Sequence, residues 1–420
     1  MKLNTKRTFF IGLAFMSICA FWQLYDQMIP LMLDQTFHIS ATLIGIIMSL
    51  DNVLALVMLP LFGTLSDKID TRLGKRTPFI LIGTVIAVIF MIIIPIAANM
   101  KSILLFMLAL GLTLIAMQSY RSPAVALMPD LTPKSLLSKA NAIINLMGAL
   151  GGILTLLLIR LLVPEGVSDY FPLFVSIGSI MLLSVAVLIL TVKEKKLREA
   201  MPQEEKEEEQ NTQGKKLPAD VKRSLTFILL SIVFWFMAYN AVTTAFSRYA
   251  AAVWNKGAGG SATLMLIATA VATISYIPIG TLSSKFGRKK MILFGIALLG
   301  VSFLTGGFLT ELNPFAYIIF GCVGIAWASI NVNSYPMVVS MATQGDVGKY
   351  TGIYYTFSMS AQIITPILSG LLIDLFGYGT LFPYATVCTL CAFILFTQVH
   401  HGDEKPVPKK GLEVYEEVDA

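Results

Sequence analysis

Charge is scarce in this chain. Lys, Arg, Asp and Glu make up 13% of its 420 residues, against 56% hydrophobic. The mean hydropathy of +0.75 is that of a bundle bathed in lipid, because a soluble globule carries about a quarter of its residues charged. Histidine is scarcer still. The three present, His38, His400 and His401, fall in loops or tails, so no apolar segment carries a His pair or a metal-ligand cluster. With no soluble domain visible either, a membrane-bound enzyme or sensor is disfavoured, and neither a metal nor a cofactor is expected. The four cysteines, Cys19, Cys322, Cys388 and Cys391, all lie inside apolar runs. They read as small hydrophobes without a disulfide framework, and the Cys388-x-x-Cys391 spacing has no second pair to make a metal site.

What the chain has instead is long apolar runs. Crossing a bilayer core of about 30 Å takes about 20 mostly apolar residues in a helix, and twelve stretches qualify, at roughly 8–33, 40–66, 77–97, 102–129, 138–162, 170–192, 224–254, 261–283, 289–309, 314–341, 348–373 and 379–399. The first follows Lys2, Lys6 and Arg7 as a signal peptide would, but its run is long and no small-residue cleavage site follows, so it is expected to be retained. An even number of spans puts both termini on one side. Basic residues gather on that same side, at the N-terminus, 68–76, 134–139, 193–223, 285–290 and the C-terminal tail, with Lys101 and Lys256 among the few opposite. The positive-inside rule makes that side the cytoplasm and the protein a multi-pass protein of the cell membrane. The net charge of +6 therefore reports orientation, not nucleic-acid binding.

The run KEKKLREAMPQEEKEEEQNTQGKK between the sixth and seventh spans has no apolar periodicity and reads as a largely disordered linker. It divides the chain into a six-helix bundle over 1–192, a linker over 193–222, a second six-helix bundle over 223–400 and a tail over 401–420. The two bundles look like copies. Gly63-Thr64-Leu65-Ser66 returns 217 positions on as Gly280-Thr281-Leu282-Ser283, while Gly74-Lys75 matches Gly287-Arg288 and Pro123 matches Pro336 at a spacing of 213. The fold expected is an all-α integral membrane protein of twelve transmembrane helices in two pseudo-symmetric six-helix bundles.

Six charges, Asp67, Lys68, Asp70, Arg72, Lys75 and Arg76, crowd into the ten positions after Ser66. Gly63-x-x-x-Asp67-Lys68 followed by Gly74-Lys75-Arg76, on the turn between spans two and three, resembles the signature loop of the major facilitator superfamily. The likeness covers nearly the whole chain and implies that superfamily's fold. Arg72-x-Gly74-Lys75-Arg76-x-Pro78-Phe79-Ile80-Leu81, with Pro123-Ala124-Val125-Ala126-Leu127 and Asp130-Leu131, resembles the sucrose-proton symporters. The stretch from Gly74 to Thr84 is also similar to the melibiose-type glycoside cation symporters. Two departures matter: Val125 stands where the sucrose group carries Arg, and Ala55 and Leu59 stand where the melibiose group carries its cation-binding carboxylates. The resemblance thus implies a sugar or glycoside symporter without fixing substrate or coupling ion. Basic groups in this loop read as solvated anchors at the membrane boundary. Asp67 is placed to latch the cytoplasmic side by meeting the positive start of span eleven near Lys349 and Tyr350, with Gly63, Lys68, Gly74, Lys75 and Arg76 as the rest of that device.

Charges at membrane depth cost about 2.5 to 3.5 kcal/mol each and normally face a cavity or a partner. The few singled out at that depth are Asp26, Asp51, Arg121 and Arg248. Arg248 lies near an external end and reads as snorkelling. Trp22, Gln23, Asp26 and Pro30 share one face of span one, and Gln118, Arg121 and Ser122 a similar face of span four. Neutral polar stripes follow on later spans: Asn141 and Asn145; Asn240 and Thr244; Trp327 and Asn331; Tyr355, Ser358 and Gln362. Amides, hydroxyls, aromatics and one Arg suit a neutral polyhydroxylated ligand. The expected substrate-binding set is Gln23, Gln118, Arg121, Asn141, Asn145, Asn240, Trp327, Asn331, Tyr355 and Gln362. Asp26 and Asp51 are the expected carriers of the coupling proton or sodium ion, and Asp26 is set to switch against Arg121 if the two face each other. The competing reading is a proton-driven drug exporter of the same fold; such exporters carry Gly-Pro-x-x-Gly-Gly in span five, whereas Met147-Gly148-Ala149-Leu150-Gly151-Gly152 has no Pro.

Overall fold

A computed structural model of the chain describes residues 4–132, 137–164, 166, 169–199, 218–341 and 347–403. Helices form wherever the apolar runs lie, and polar residues begin several of them. The Asn4 side chain accepts from Arg7 N–H at 3.1 Å to start α1 (Thr5–Gln35), Ser40 starts α2 (Ala41–Lys68), Ser102 starts α4 (Ile103–Asp130) and Asn313 starts α11 (Pro314–Ser340). The others are α3 (Thr77–Asn99), α5 (Leu137–Leu162), α6 (Phe171–Thr191), a short α7 (Glu194–Glu199), α8 (Ala219–Trp254), α9 (Ala258–Phe286), α10 (Arg288–Gly306), α12 (Val347–Phe376) and α13 (Leu381–Thr397). Twelve of the described helices are long and apolar enough to cross a membrane. They match the twelve expected runs, with α1 and α8 reaching further into polar sequence than hydropathy alone marks.

The first six spans form one bundle and α8–α13 the other. Within the first, α1 packs on α5 where a Cβ on Gly151 would strike the Met16 carbonyl and one on Gly148 would press on Phe15, so the glycines of the 147–152 stretch serve helix contact. The halves meet chiefly where α1 packs on α8, α2 on α12 and α5 on α9. At the end opposite the termini, polar contacts join them. The Asp374 carboxylate accepts from Ala41 N–H (2.7 Å) and Thr42 N–H (2.8 Å), Tyr378 Oη donates to Asp34 (3.2 Å) and Gly259 N–H donates to the Val163 carbonyl (3.1 Å).

The charged loop is built, not merely solvated. Arg76 is 6% exposed; its guanidinium donates to Asp130 Oδ2 at 2.7 Å, to the Gly63 carbonyl at 3.3 Å, and to Asp67 and Ser66. It thereby ties the ends of α2 and α4 to the start of α3. Burial works against its charge, and the bonds to Asp130 and Asp67 outweigh that, leaving its pKa above the ordinary arginine value. Asp67 therefore engages Arg76 within its own half. The side chain of Lys349, the partner expected on span eleven, lies outside the described residues.

The linker is not disordered from its first residue. Glu194, 1% exposed, accepts from the backbone N–H groups of Lys75 (2.6 Å), Arg76 (3.0 Å) and Thr77 (2.8 Å) and from Thr77 Oγ1 (2.7 Å). A helix start leaves N–H groups without intrahelical partners, and the carboxylate just past span six supplies them. Arg198 adds an ion pair to Asp70 at 2.6 Å. The second half repeats the device: Asp403, just past span twelve, accepts from Lys289 N–H at 2.8 Å, so the first residues of the expected tail dock as well. This explains the repeated glycine. Gly74 (φ 118°) and Gly287 (φ 94°) adopt a backbone conformation that side chains disfavour, and a Cβ on either would run into the Glu194 or Asp403 carboxylate.

Replacing Glu194 by Ala strips partners from a buried helix start and should cost about 2 kcal/mol. Thermal unfolding in detergent checks this: Glu194→Ala should melt several degrees lower, while Glu199→Ala, at the far end of α7, should melt with the wild type.

Candidate functional site

The residues expected at the centre come from α1, α2, α4 and α5 of the first half and from α8, α11 and α12 of the second. On α1, Trp22, Gln23 and Asp26 are half-buried, and Pro30 of the same face is buried. Trp22 is wedged edge-on against Phe21 (5.0 Å) and Tyr25 (5.6 Å), and the Arg121 guanidinium of α4 lies over its ring, 5.4 Å from the centroid. That is a cation–π placement. Gln23 lies against Gly152 of α5.

The acids are arranged otherwise than expected. The charge acting on Arg121 is Asp51, not Asp26, and the charge acting on Asp26 is Asp51, a second carboxylate. Asp51 is held by Asn52, which donates to its Oδ1 at 2.9 Å, and its carbonyl accepts from Gln118 Nε2 at 3.1 Å. Gln118 is fully buried and by this bond braces α2 against α4, while its Oε1 has no partner among the described residues. Tyr25, donating to the Met48 carbonyl (3.5 Å), is within electrostatic reach of both acids. The expected Asp26–Arg121 switch pair is thus replaced by a group of two carboxylates and one guanidinium, with Asp51 next to the cation.

The second half presents aromatics. Tyr239 of α8 stacks on Trp327 of α11 at 3.7 Å and 8°, and Phe236 stands edge-on to the same indole at 5.4 Å and 88°. Tyr239 is also within electrostatic reach of Asp26 of α1, in the other half. One residue on from Tyr239, the buried Asn240 Nδ2 has no partner among the described residues. Nearby, Gln27 Nε2 of α1 donates to the Thr243 carbonyl at 3.4 Å.

The remaining expected residues divide. Asn145 and Asn331 are buried, Asn141 is half-buried, and all three have partners. Ser358 donates to its own helix at the Tyr355 carbonyl (3.1 Å), Gln362 is half-buried, and Tyr355 is 40% exposed beside Tyr335, with ring centroids 6.2 Å apart. Arg248 does not snorkel. It is 3% exposed and lies within reach of Tyr378, Asp34 and Asp374. Sequence reasoning missed Tyr239, Phe236, Tyr25 and Gln27. Tyr239 and Gln27 each adjoin a singled-out residue, but aromatics and amides in apolar runs are too common for spacing to mark them.

This architecture is shared with known proteins. A nucleoside transporter, NupG, superposes with a TM-score of 0.71 over 94% of this chain and 100% of its own, at 14% identity. A POT family transporter in complex with 5-aminolevulinic acid gives 0.71 over 94% of each chain at 13% identity. A bacterial homolog of the human lysosomal transporter Spinster gives 0.63 at 15% identity, over 94% of this chain and 93% of that one. At such identities the likeness is one of fold. By sequence, a sucrose transport protein of Arabidopsis thaliana is 30% identical over 139 residues, which is 29% of this chain and 23% of that protein. An uncharacterized MFS-type transporter of Methanocaldococcus jannaschii is 28% identical over 124 residues, 29% of this chain and 32% of that one. The matched stretches are thus a third or less of those relatives. Residues 11–272 and 254–416 match the family model described as Major Facilitator Superfamily, so that two joined matches cover both six-helix halves. The chain belongs to the major facilitator superfamily.

Proposed function

We propose that this transporter moves a sugar or glycoside together with a cation, most simply a proton, by rocking its halves about the central site. The cell membrane is its place and the cytoplasm the side of its termini, on the strength of the basic loops. The observation that carries the reading is the stacked Tyr239–Trp327 pair of the second half, within electrostatic reach of Asp26 in the first. An aromatic face beside amide and carboxylate acceptors fits a ring bearing hydroxyls on its edge and C–H groups on its face. The local likeness to a sucrose transport protein supports the same class.

Coupling follows from counting charge. Two carboxylates within electrostatic reach of each other and one guanidinium, acting on Asp51, leave one negative charge unbalanced at membrane depth. A proton or a monovalent cation at Asp26 balances it, and a neutral site crosses the bilayer more cheaply than a charged one. Substrate that engages Arg121 would loosen its hold on Asp51 and strengthen the demand for that cation.

Uptake by proteoliposomes of a labelled panel (sucrose, maltose, melibiose, glucosides, monosaccharides and a nucleoside), with and without proton or sodium gradients, tests the reading. Saturable, gradient-driven accumulation of a sugar is expected; movement of only the nucleoside or of a lipophilic cation would replace the substrate class. Arg121→Lys keeps the charge but loses the planar fork. It should weaken substrate binding at least tenfold, about 1.4 kcal/mol or more, with expression near normal; intact binding would make Arg121 a counter-ion to Asp51 alone. Asp26→Asn mimics the protonated acid. It should abolish gradient-driven accumulation while sugar-for-sugar exchange continues, and accumulation that persists would move the coupling role to Asp51.

A further inference from the structure

At the end opposite the termini, a group of side chains unused by the central site bridges the halves. Asp374 lies in the last turn of α12, in the second half, yet its carboxylate accepts from the first two N–H groups of α2, in the first: Ala41 (2.7 Å) and Thr42 (2.8 Å), with Thr42 Oγ1 adding a third bond at 2.5 Å. The two backbones come close enough for this because glycine stands at each crossing. A Cβ on Gly370 would strike the Ala41 carbonyl, and one on Gly45 the Pro366 carbonyl. A few residues on, Tyr378 donates to Asp34, at the end of α1, at 3.2 Å. Behind both stands Arg248 of α8, buried against Tyr378 and within electrostatic reach of Asp34 and Asp374. Its Nε and Nη1 have no partner among the described residues, so charge more than a full set of bonds fixes it there.

We infer that Arg248, Asp374, Tyr378 and Asp34 form a latch that holds this end closed and is broken in every transport cycle. The inference rests on the alternating-access reading but not on which substrate is carried. When the halves part, Asp34, Ala41 and Thr42 leave together, whereas Arg248, Asp374 and Tyr378 stay on one body. The buried guanidinium therefore keeps an acid beside it in both states, and only the bonds that cross the seam are exchanged for water. Asp374 is solvent-exposed, so water replaces those bonds readily, as a reversible latch requires. Arg248 has a second task. Two carboxylates from opposite halves face the same seam, and without a cation between them their repulsion would favour the open state.

Amide hydrogen exchange of the purified protein in lipid nanodiscs reads this without any substrate. The sensor is the stretch 255–263, where Gly259 N–H crosses to the Val163 carbonyl on the separate α5–α9 seam; the control is 66–77, at the other end. Asp374→Ala, Tyr378→Phe and Arg248→Gln should each speed exchange in 255–263 at least fivefold, Arg248→Gln the most, and leave 66–77 as in the wild type. Should the two charge variants fail to fold, Tyr378→Phe, which removes one hydroxyl, decides alone. Unchanged exchange at 255–263 would show that the cluster holds nothing, and equal acceleration at both ends would make it a general stabiliser. Either result overturns the latch, whereas a failure of sugar uptake leaves it standing.

Discussion

A helix that starts at the rim of a bilayer leaves N–H groups that lipid cannot satisfy, and in this chain carboxylates from elsewhere satisfy them at three places. Glu194 serves α3 and Asp403 serves α10, each from just beyond the last helix of the same half. Asp374 serves α2 from the opposite half. The partial positive charge of a helix start makes an acid the fitting partner in each case. The first two contacts fold the chain ends back onto their own bundles, so each half becomes one body. The third joins the bodies.

The central site depends on that division. Trp22, Asp26, Asp51 and Arg121 belong to the first half and Tyr239, Asn240 and Trp327 to the second, so any ligand that touches both sets is gripped differently as the halves turn. Alternating access needs no deformation within a half if the groups on each side move as a unit. The bracing supports this: Gln118 fixes Asp51 to α4, Trp22 is wedged by Phe21 and Tyr25, and Trp327 is stacked on Tyr239 and abutted by Phe236. The acids and the arginine are thus held in fixed relation within one body, and their charge balance can change only by what enters from the cavity.

Hydropathy made the twelve spans legible, because it reports the solvent each segment meets and lipid is an unforgiving one. The internal repeat was legible for a different reason: Gly74 and Gly287 hold a backbone conformation that almost no other residue tolerates, so both copies must keep glycine. What the sequence concealed were partnerships between distant positions. Glu194 stands amid charges that read as a solvated linker, yet it is buried by a helix start more than a hundred residues earlier. Arg248 near a span end has the look of a snorkelling residue until Asp34 and Asp374 are brought beside it. Asp26 and Arg121 were matched by sign, whereas the packing of α2 against α4 gives Arg121 to Asp51. Periodicity says which face a residue occupies; it does not say which of two acids a neighbouring helix will bring near.

The three carboxylate caps share one chemistry but differ in exposure, and that difference separates what is fixed from what moves. Glu194 is 1% exposed, so withdrawing it would leave a buried acid and buried N–H groups unpaired together. Such a contact opens only when the half itself unfolds. Asp374 makes bonds of similar length at an exposed position, where water stands ready on both sides of the seam. Breaking it exchanges one set of hydrogen bonds for another at little net cost. On the latch reading, one acid–helix contact serves both tasks: buried at Glu194, where it lies within a half, and exposed at Asp374, where it joins the two.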